Sequence, residues 1–385
     1  MSPRTATRAA ALFAALLAMA IPAVSEAKGK PPTVTVMTRN VFLGADLSPA
    51  IGASSIPQAI DGAGQIWNEM QSTRFADRAV PLAREIKRSK ADLVGLQEVA
   101  LWRKQEPSDG GAPPISPIPG ATAATAVEQD FLAILRRELH RAGAKYRVVV
   151  VQQEFDAELP VDVDGSDATG TGPLAGFGAD FDARLTMRDV ILARKGSKVK
   201  LGKTGKGNYD TRYEPNVGGV VIPVDRGWAS VEARVKTGKG RKARVRNFRF
   251  VDTHLEAFGD PTIREAQAKE LTEGPLDTRK QVVLVGDLNS GIARHNEPER
   301  PGDDLAFKAL AGFGMHDNGA VQSCCYSNLF DPAAVFDHTV DHVLTKPRLV
   351  TTRATVTGDD VQQRTASNLW PSDHGGVVST LRLRK

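Results

Sequence analysis

Apolar residues along this chain fall into short, β-branched runs that alternate with amphipathic stretches. Runs at residues 34–37, 93–96, 146–151, 190–193, 231–235, 248–251, 282–285, 339–344 and 377–383 have the length and composition of strands. The spacing of Phe75, Ala79, Leu82, Ala83 and Ile86 predicts a helix capped by Ser72-Thr73, and residues 128–139 and 262–271 predict two more. Polar residues recur where the apolar runs stop: Asn40, Gln97-Glu98, Asp252-Thr253-His254 and Gly286-Asp287. Residues 105–121, with five prolines, and 156–180, rich in Gly and Asp, predict long loops. Strand-end polar residues lie on both sides of each loop, so the pattern predicts one mixed α/β domain over residues 32–385.

The first residues need a separate reading. Arg4 and Arg8 precede an apolar run over residues 9–21, followed by Pro22 and the small residues Ser25 and Ala27. This pattern predicts a signal peptide over residues 1–27, hence a secreted or extracytoplasmic protein. The run is too short for a mature membrane span, and no later stretch reaches the roughly 18 apolar residues one requires. The 385 residues are 41% hydrophobic and 25% charged, which excludes a disordered chain. Cys324 and Cys325 are the only cysteines, too few for a disulfide framework or a four-cysteine zinc site; a vicinal bridge and two buried thiols both remain open.

The strongest chemical signal is Val-Val-Leu-Val-Gly-Asp-Leu-Asn-Ser at residues 282–290. Four apolar residues make a strand buried on both faces, Gly286 allows close backbone approach, and strand period points Asp287 and Asn289 the same way. Glu98 ends a second apolar run, His254 ends a third, and Asp373-His374 stand just before the last. Asn40 follows the first strand, and Asp341 lies inside an apolar run, where a carboxylate is costly without a partner. Each block alone is also an ordinary strand-ending turn.

In this order, the blocks resemble the endonuclease/exonuclease/phosphatase superfamily, which includes deoxyribonucleases, bacterial sphingomyelinases and inositol-polyphosphate phosphatases. The resemblance implies a four-layer α/β/β/α sandwich of two packed mixed sheets flanked by helices. It implies Mg²⁺ as cofactor, with Mn²⁺ as an alternative, held by Glu98 with Asn40 and Asp373 nearby. His374 matches the catalytic histidine and Asp341 its orienting carboxylate. Asp287 and Asn289 match the pair that positions the attacking water and binds the phosphoryl group. His254 matches the second histidine of the deoxyribonuclease and sphingomyelinase branches, which contacts a phosphate oxygen; abasic-site endonucleases depart from it. The chemistry suits the set, because phosphoester hydrolysis spreads negative charge over phosphoryl oxygens and needs an in-line water.

Substrate choice rests on weaker signals. Lys236, Lys239, Arg241, Lys242, Arg244, Arg246 and Arg249 form an acid-free basic run around a hairpin tip, and a second Lys-rich tip spans residues 195–206. Read as polyanion contacts, they favour DNA over phospholipid; read as solvated tips, they favour neither. A sphingomyelinase-like enzyme, an inositol-phosphate phosphatase and a non-catalytic binding protein on the same scaffold are the alternatives. Arg188-Asp189 reads as cleft lining or as an ion pair, and Arg226 before Gly227-Trp228 as a candidate cleft residue. Asp162-Val-Asp-Gly-Ser-Asp resembles a calcium loop, but Gly165 is misplaced for an EF-hand and Pro173 occupies its closing Glu position.

Overall fold

The computed structural model describes residues 31–111, 120–166, 170–238, 243–292, 302–319 and 321–384. The expected leader at 1–27 and the centre of the basic hairpin, including Lys239, Arg241 and Lys242, lie outside the described residues.

Two large mixed sheets dominate. In the first, β1 (Thr33–Asn40) runs parallel to β2 (Leu93–Gln97) and antiparallel to β16 (Gly376–Arg382), with β15 (Val350–Thr357) beyond. β2 and then β3 (Leu101–Gln105) share one edge of the long β6 (Phe181–Arg194); β5 (Tyr146–Val161) takes its other edge, and β4 (Ala126–Asp130) extends β3. The second sheet runs in the order β13 (His316–Asp317), β14 (Asp341–Lys346), β12 (Gln281–Asp287), β11 (Arg244–His254), β10 (Gly227–Thr237) and β7 (Val199–Asn208). Only β11 and β12 are parallel there. A small hairpin, β8 (Asn216–Val217) with β9 (Val220–Val221), stands apart.

The sheets meet through Val34, Val36 and Ile191 on one side and Val231, Phe250 and Val283 on the other, all buried. Outside the first sheet lie α2 (Ile56–Ser72), α3 (Phe75–Ser89) and α4 (Phe131–Arg141), preceded by the short α1 (Ser48–Ile51). Outside the second lie α5 (Pro261–Glu273) and α6 (Leu305–Gly312). Strands with a sheet on one face and helices on the other are buried on both, which is why their sequences read as continuous apolar runs. The architecture is the α/β/β/α sandwich.

Three local expectations change. Helix α3 is preceded by Arg74 in the left-handed region (φ 44°), not by a capping Thr73, whose hydroxyl donates to the carbonyl of Gly44 instead. Residues 156–161, expected in a loop, continue β5 opposite β6, where Asp156 pairs with Arg184 at 2.5 Å. Residues 128–130, expected to begin a helix, belong to β4; Asp130 then caps α4 by accepting from Leu132 N at 3.0 Å. The two cysteines are joined as a vicinal disulfide.

Candidate active site

Five of the strands bring polar side chains to one edge shared by both sheets. Asn40 and Glu98 stand at the C-terminal ends of the parallel pair β1 and β2, and His254 and Asp287 at those of the parallel pair β11 and β12. Asp341 opens β14 directly opposite Asp287, and His374 just precedes β16. Glu98, His254, Asp287, Asn289, Asp373 and His374 line one cleft of about 560 Å³.

Asn40 Nδ2 donates to Glu98 Oε1 (2.8 Å) and to Asp287 Oδ2 (3.0 Å), while its Oδ1 accepts from Phe42 N (2.9 Å). Expected in the metal environment, Asn40 therefore serves as the tie that holds two carboxylates together. Glu98 Oε2 accepts from Leu43 N at 2.7 Å. Glu98 and Asn289 both occupy the left-handed region (φ 58° and 46°). That conformation costs of order 1–3 kcal/mol for a non-glycine residue and persists where the surroundings over-determine it, as functional sites do.

The two histidines are shifted in opposite directions. His374 Nδ1 lies 2.9 Å from Asp341 Oδ2, and Ser323 Oγ donates to that same oxygen at 2.8 Å. Burial disfavours the imidazolium, but Asp341, Asp287 and Asp373 outweigh it and hold His374 protonated well above the usual histidine range. His254 is pushed well below that range by burial, then by the charges of Arg226 and His374. Arg226 Nη1 lies 3.1 Å from His254 Nδ1. Arginine can only donate, so Nδ1 accepts and Nε2 carries the proton. His254 thus presents a neutral N–H to the cleft, with the acceptor Asp287 Oδ2 at 3.6 Å, while Asn289 Nδ2 donates to the Leu255 carbonyl at 2.9 Å.

Asp287 sits between these rings, its Oδ2 also 3.6 Å from His374 Nε2 and its Oδ1 accepting from Asn289 N at 2.9 Å. Its carboxyl is raised by burial, the His374 charge opposing and the Asp341 charge reinforcing the shift. Asp373, beside them, raises Glu98 after burial has done so.

A divalent cation fits this donor set. Glu98 and Asp287 bring carboxylate oxygens within 4.8 Å of each other and of His254, and His254, with Nε2 protonated, is excluded as a ligand. What remains is hard oxygen, few donors from protein, which suits a cation that keeps several waters.

Arg188 and Asp189 form no pair with each other. Arg188 binds Asp130 (2.6 Å) and the carbonyls of Val99 and Ala100, bracing the turn after Glu98. Asp189 is buried next to Glu154, both raised by burial, and the two approach His254 within 4.8 Å. Arg226 is held by Glu256 at 3.3 Å. Its hold on the His254 ring, and the buried Arg78 that donates to the carbonyls of Thr73, Val41, Phe42 and Pro371, escape sequence reading. Both depend on contacts between distant segments. The Arg226 contact makes a prediction: in Arg226→Met, NMR titration finds His254 protonating at higher pH than in the parent. An unchanged titration would remove Arg226 as the group that sets the ring's charge.

Of the two basic tips, the described residues Lys195, Lys198, Lys236 and Arg244 are not at this edge. Gly227 pairs with His254, whereas Thr237 pairs with Arg244 ten residues along, roughly 33 Å at strand rise. Residues 195–198, before Val199 opposite Val235, share that far end. Lys195, Lys198, Lys236 and Arg244 thus stand at the far pole, whereas Lys206, opposite Ala229, lies near the cleft end.

The sequence profile described as the Endonuclease/Exonuclease/phosphatase family matches residues 66–374. No curated protein sequence matches. Among solved structures, an endonuclease/exonuclease/phosphatase family protein from Bacteroides thetaiotaomicron is similar over 93% of this chain and 100% of that one, with 16% identity and a TM-score of 0.52. A mannosyl-6-phosphatase of the same organism is similar over 90% and 99%, with 16% identity and a TM-score of 0.49. The human Nocturnin catalytic domain is similar over 92% and 94%, with 14% identity and a TM-score of 0.46. With the profile covering most of its length and the sandwich shared, this chain belongs to the endonuclease/exonuclease/phosphatase family, whose members are metal-dependent hydrolases of phosphoester bonds.

Proposed function

We propose that the protein is a Mg²⁺-dependent phosphodiesterase acting outside the cytoplasm. The observation that carries the reading is Asp287 standing 3.6 Å from both a protonated and a neutral histidine, with Glu98 tied to it through Asn40. Glu98 is the principal residue to hold the cation, with Asp373 beside it; when bound, the cation supplies positive charge to the phosphoryl oxygens. Asp287, aligned by Asn40 and Asn289 N, orients the attacking water and accepts its proton. His374, kept cationic by Asp341, stabilises the developing charge and gives a proton to the leaving oxygen. His254 donates its Nε2 proton to a phosphoryl oxygen. Export is supported by the leader-like residues 1–27.

Nucleic acid is the substrate that the basic tips favour, although Lys195, Lys198, Lys236 and Arg244 stand at the far pole from the cleft. A second reading has an observation of its own. An apolar pocket lined by Ile66, Leu185 and Ile222 adjoins the catalytic cleft, the two sharing Leu47, Met187, Arg226 and Phe258. A polar cleft continuous with an apolar pocket suits a phosphodiester that carries an apolar group, which supports reading a lipid phosphodiester as the substrate. Hydrolysis of duplex DNA, RNA, sphingomyelin and inositol phosphates, each with Mg²⁺ and with chelator, is the test. We expect metal-dependent turnover of sphingomyelin to exceed that of DNA. Faster cleavage of DNA would return the nuclease reading, and no turnover of any of the four would overturn the phosphodiesterase assignment.

A further inference from the structure

Away from the cleft, the turn between β5 and β6 gathers three carboxylates. Asp162, Asp164 and Asp180 each bring one oxygen within 4.8 Å of the others. An acidic cluster on a loop is common; Asp162 makes this one different. It is only 4% exposed. Its Oδ1 accepts from the backbone N–H of Asp164 (3.0 Å) and Gly165 (2.7 Å). Its Oδ2 is buried and has no hydrogen-bond partner among the described residues. A buried carboxylate oxygen left without a donor costs free energy that the fold recovers only if something positive meets it.

The space beside that oxygen is kept open by Gly178. Its φ of +76° favours glycine, and a Cβ there would lie 2.4 Å from Asp162 Oδ2 and 3.3 Å from the Ser166 carbonyl oxygen. Asp162 Oδ2 and the Ser166 carbonyl therefore flank the position a Gly178 side chain would take, and carboxylate oxygens of Asp164 and Asp180 come within 4.8 Å of one of Asp162. Asp180 is fixed from the other side, its Oδ2 accepting from Val163 N at 3.0 Å.

We infer that this turn is a Ca²⁺ site, built by Asp162, Asp164, Asp180 and the Ser166 carbonyl, and separate from the catalytic cation. The donors are all hard oxygens, with no nitrogen or sulfur for zinc. A mixture of carboxylates and a backbone carbonyl on a turn suits the adaptable coordination of Ca²⁺ better than the strict octahedron of Mg²⁺. The sequence order differs from an EF-hand, with the third carboxylate arriving from the start of the next strand.

The site has a mechanical purpose. Asn68 Nδ2 donates to the Val163 carbonyl at 3.0 Å, and a Cβ on Gly64 would strike the Asp162 carbonyl oxygen at 1.5 Å, so α2 packs directly on this turn. Neutralising three carboxylates there fastens α2 to the β5–β6 hairpin. Helix α2 carries Glu69 and β6 carries Met187, both on the wall of the cleft.

The test is thermal unfolding of the chelator-stripped full chain as CaCl₂ is added, with calorimetry for stoichiometry. Binding to the native state alone raises Tm with concentration. We expect a Ca²⁺-dependent rise of several degrees in the parent and equally in Glu98→Gln, whose cleft ligand is removed. In Asp164→Asn, at an exposed position, and in Asp180→Asn, Ca²⁺ affinity falls at least about tenfold. MgCl₂ at equal concentration does not reproduce the rise in Glu98→Gln. The inference is overturned if the parent shows no rise, if Asp164→Asn and Asp180→Asn keep the parent's affinity, or if Glu98→Gln loses the response, which would assign the calcium to the cleft.

Discussion

Replacing His374 with alanine lowers kcat/KM by at least about a hundredfold, with circular dichroism unchanged. The ring lies within reach of the reacting atoms, 3.6 Å from Asp287 Oδ2, and Asp341 holds its other nitrogen at 2.9 Å. Removing it takes away the proton donor and the positive charge together. Asp341→Asn separates the two contributions. A general acid works only while protonated, so activity declines as pH rises through its pKa. Asp341 is the foremost of the carboxylates that raise that pKa; without it the alkaline decline of kcat/KM moves to lower pH. Near-parental activity in His374→Ala at saturating Mg²⁺ would end its proposed role, and an unmoved alkaline limb in Asp341→Asn would assign that limb to another group.

The largest effect on stability belongs to Glu85→Ala. Arg39 Nε and Glu85 Oε2 are 3.1 Å apart and neither side chain is exposed at all. Deleting one partner of a buried pair strands the other charge, which costs about 3–5 kcal/mol. That is a large share of the roughly 5–15 kcal/mol by which domains are stable. Urea unfolding measures it as a lower midpoint with an unchanged slope. Arg39 also donates to the His374 carbonyl, so part of the loss falls on the catalytic edge. Burial raises the Glu85 carboxyl above its ordinary value despite Arg39. The unfolded chain then loses this proton at lower pH than the native one, and native stability decreases as pH climbs between the two values. Glu85→Gln removes that slope; a variant with the parent's pH dependence would show that another group produces it.

The candidate active-site edge was legible in the sequence because buried parallel strands announce themselves as apolar runs and deliver their next polar residue to a shared edge. Glu98, His254 and Asp287 were found that way. Helix α2 was not, although Ala59, Ile60, Ala63, Ile66, Trp67 and Met70 follow helical spacing. Gly62 and Gly64 obscure it, and they are there because the carbonyls of Pro49 and Asp162 press against the helix where a Cβ would stand. A tertiary demand had written a loop-like composition into a helix. The partner of His254 was hidden for a related reason: Arg226 meets the ring only because Gly227 falls in register with His254. Likewise, the identical spacing of the lysines and arginines around a hairpin gives no sign of which pole the hairpin reaches.

That pole has a consequence for how the molecule meets charged matter. Lys195, Lys198 and Lys236 are exposed at one end of the long strands, and the acid-lined cleft opens at the other. An anionic surface bound through these lysines would leave the cleft facing bulk solvent. Retention on an anionic matrix and turnover in solution would then belong to opposite faces, and we predict that salt sufficient to release the protein from such a matrix leaves hydrolysis of a small uncharged-tail reporter largely intact.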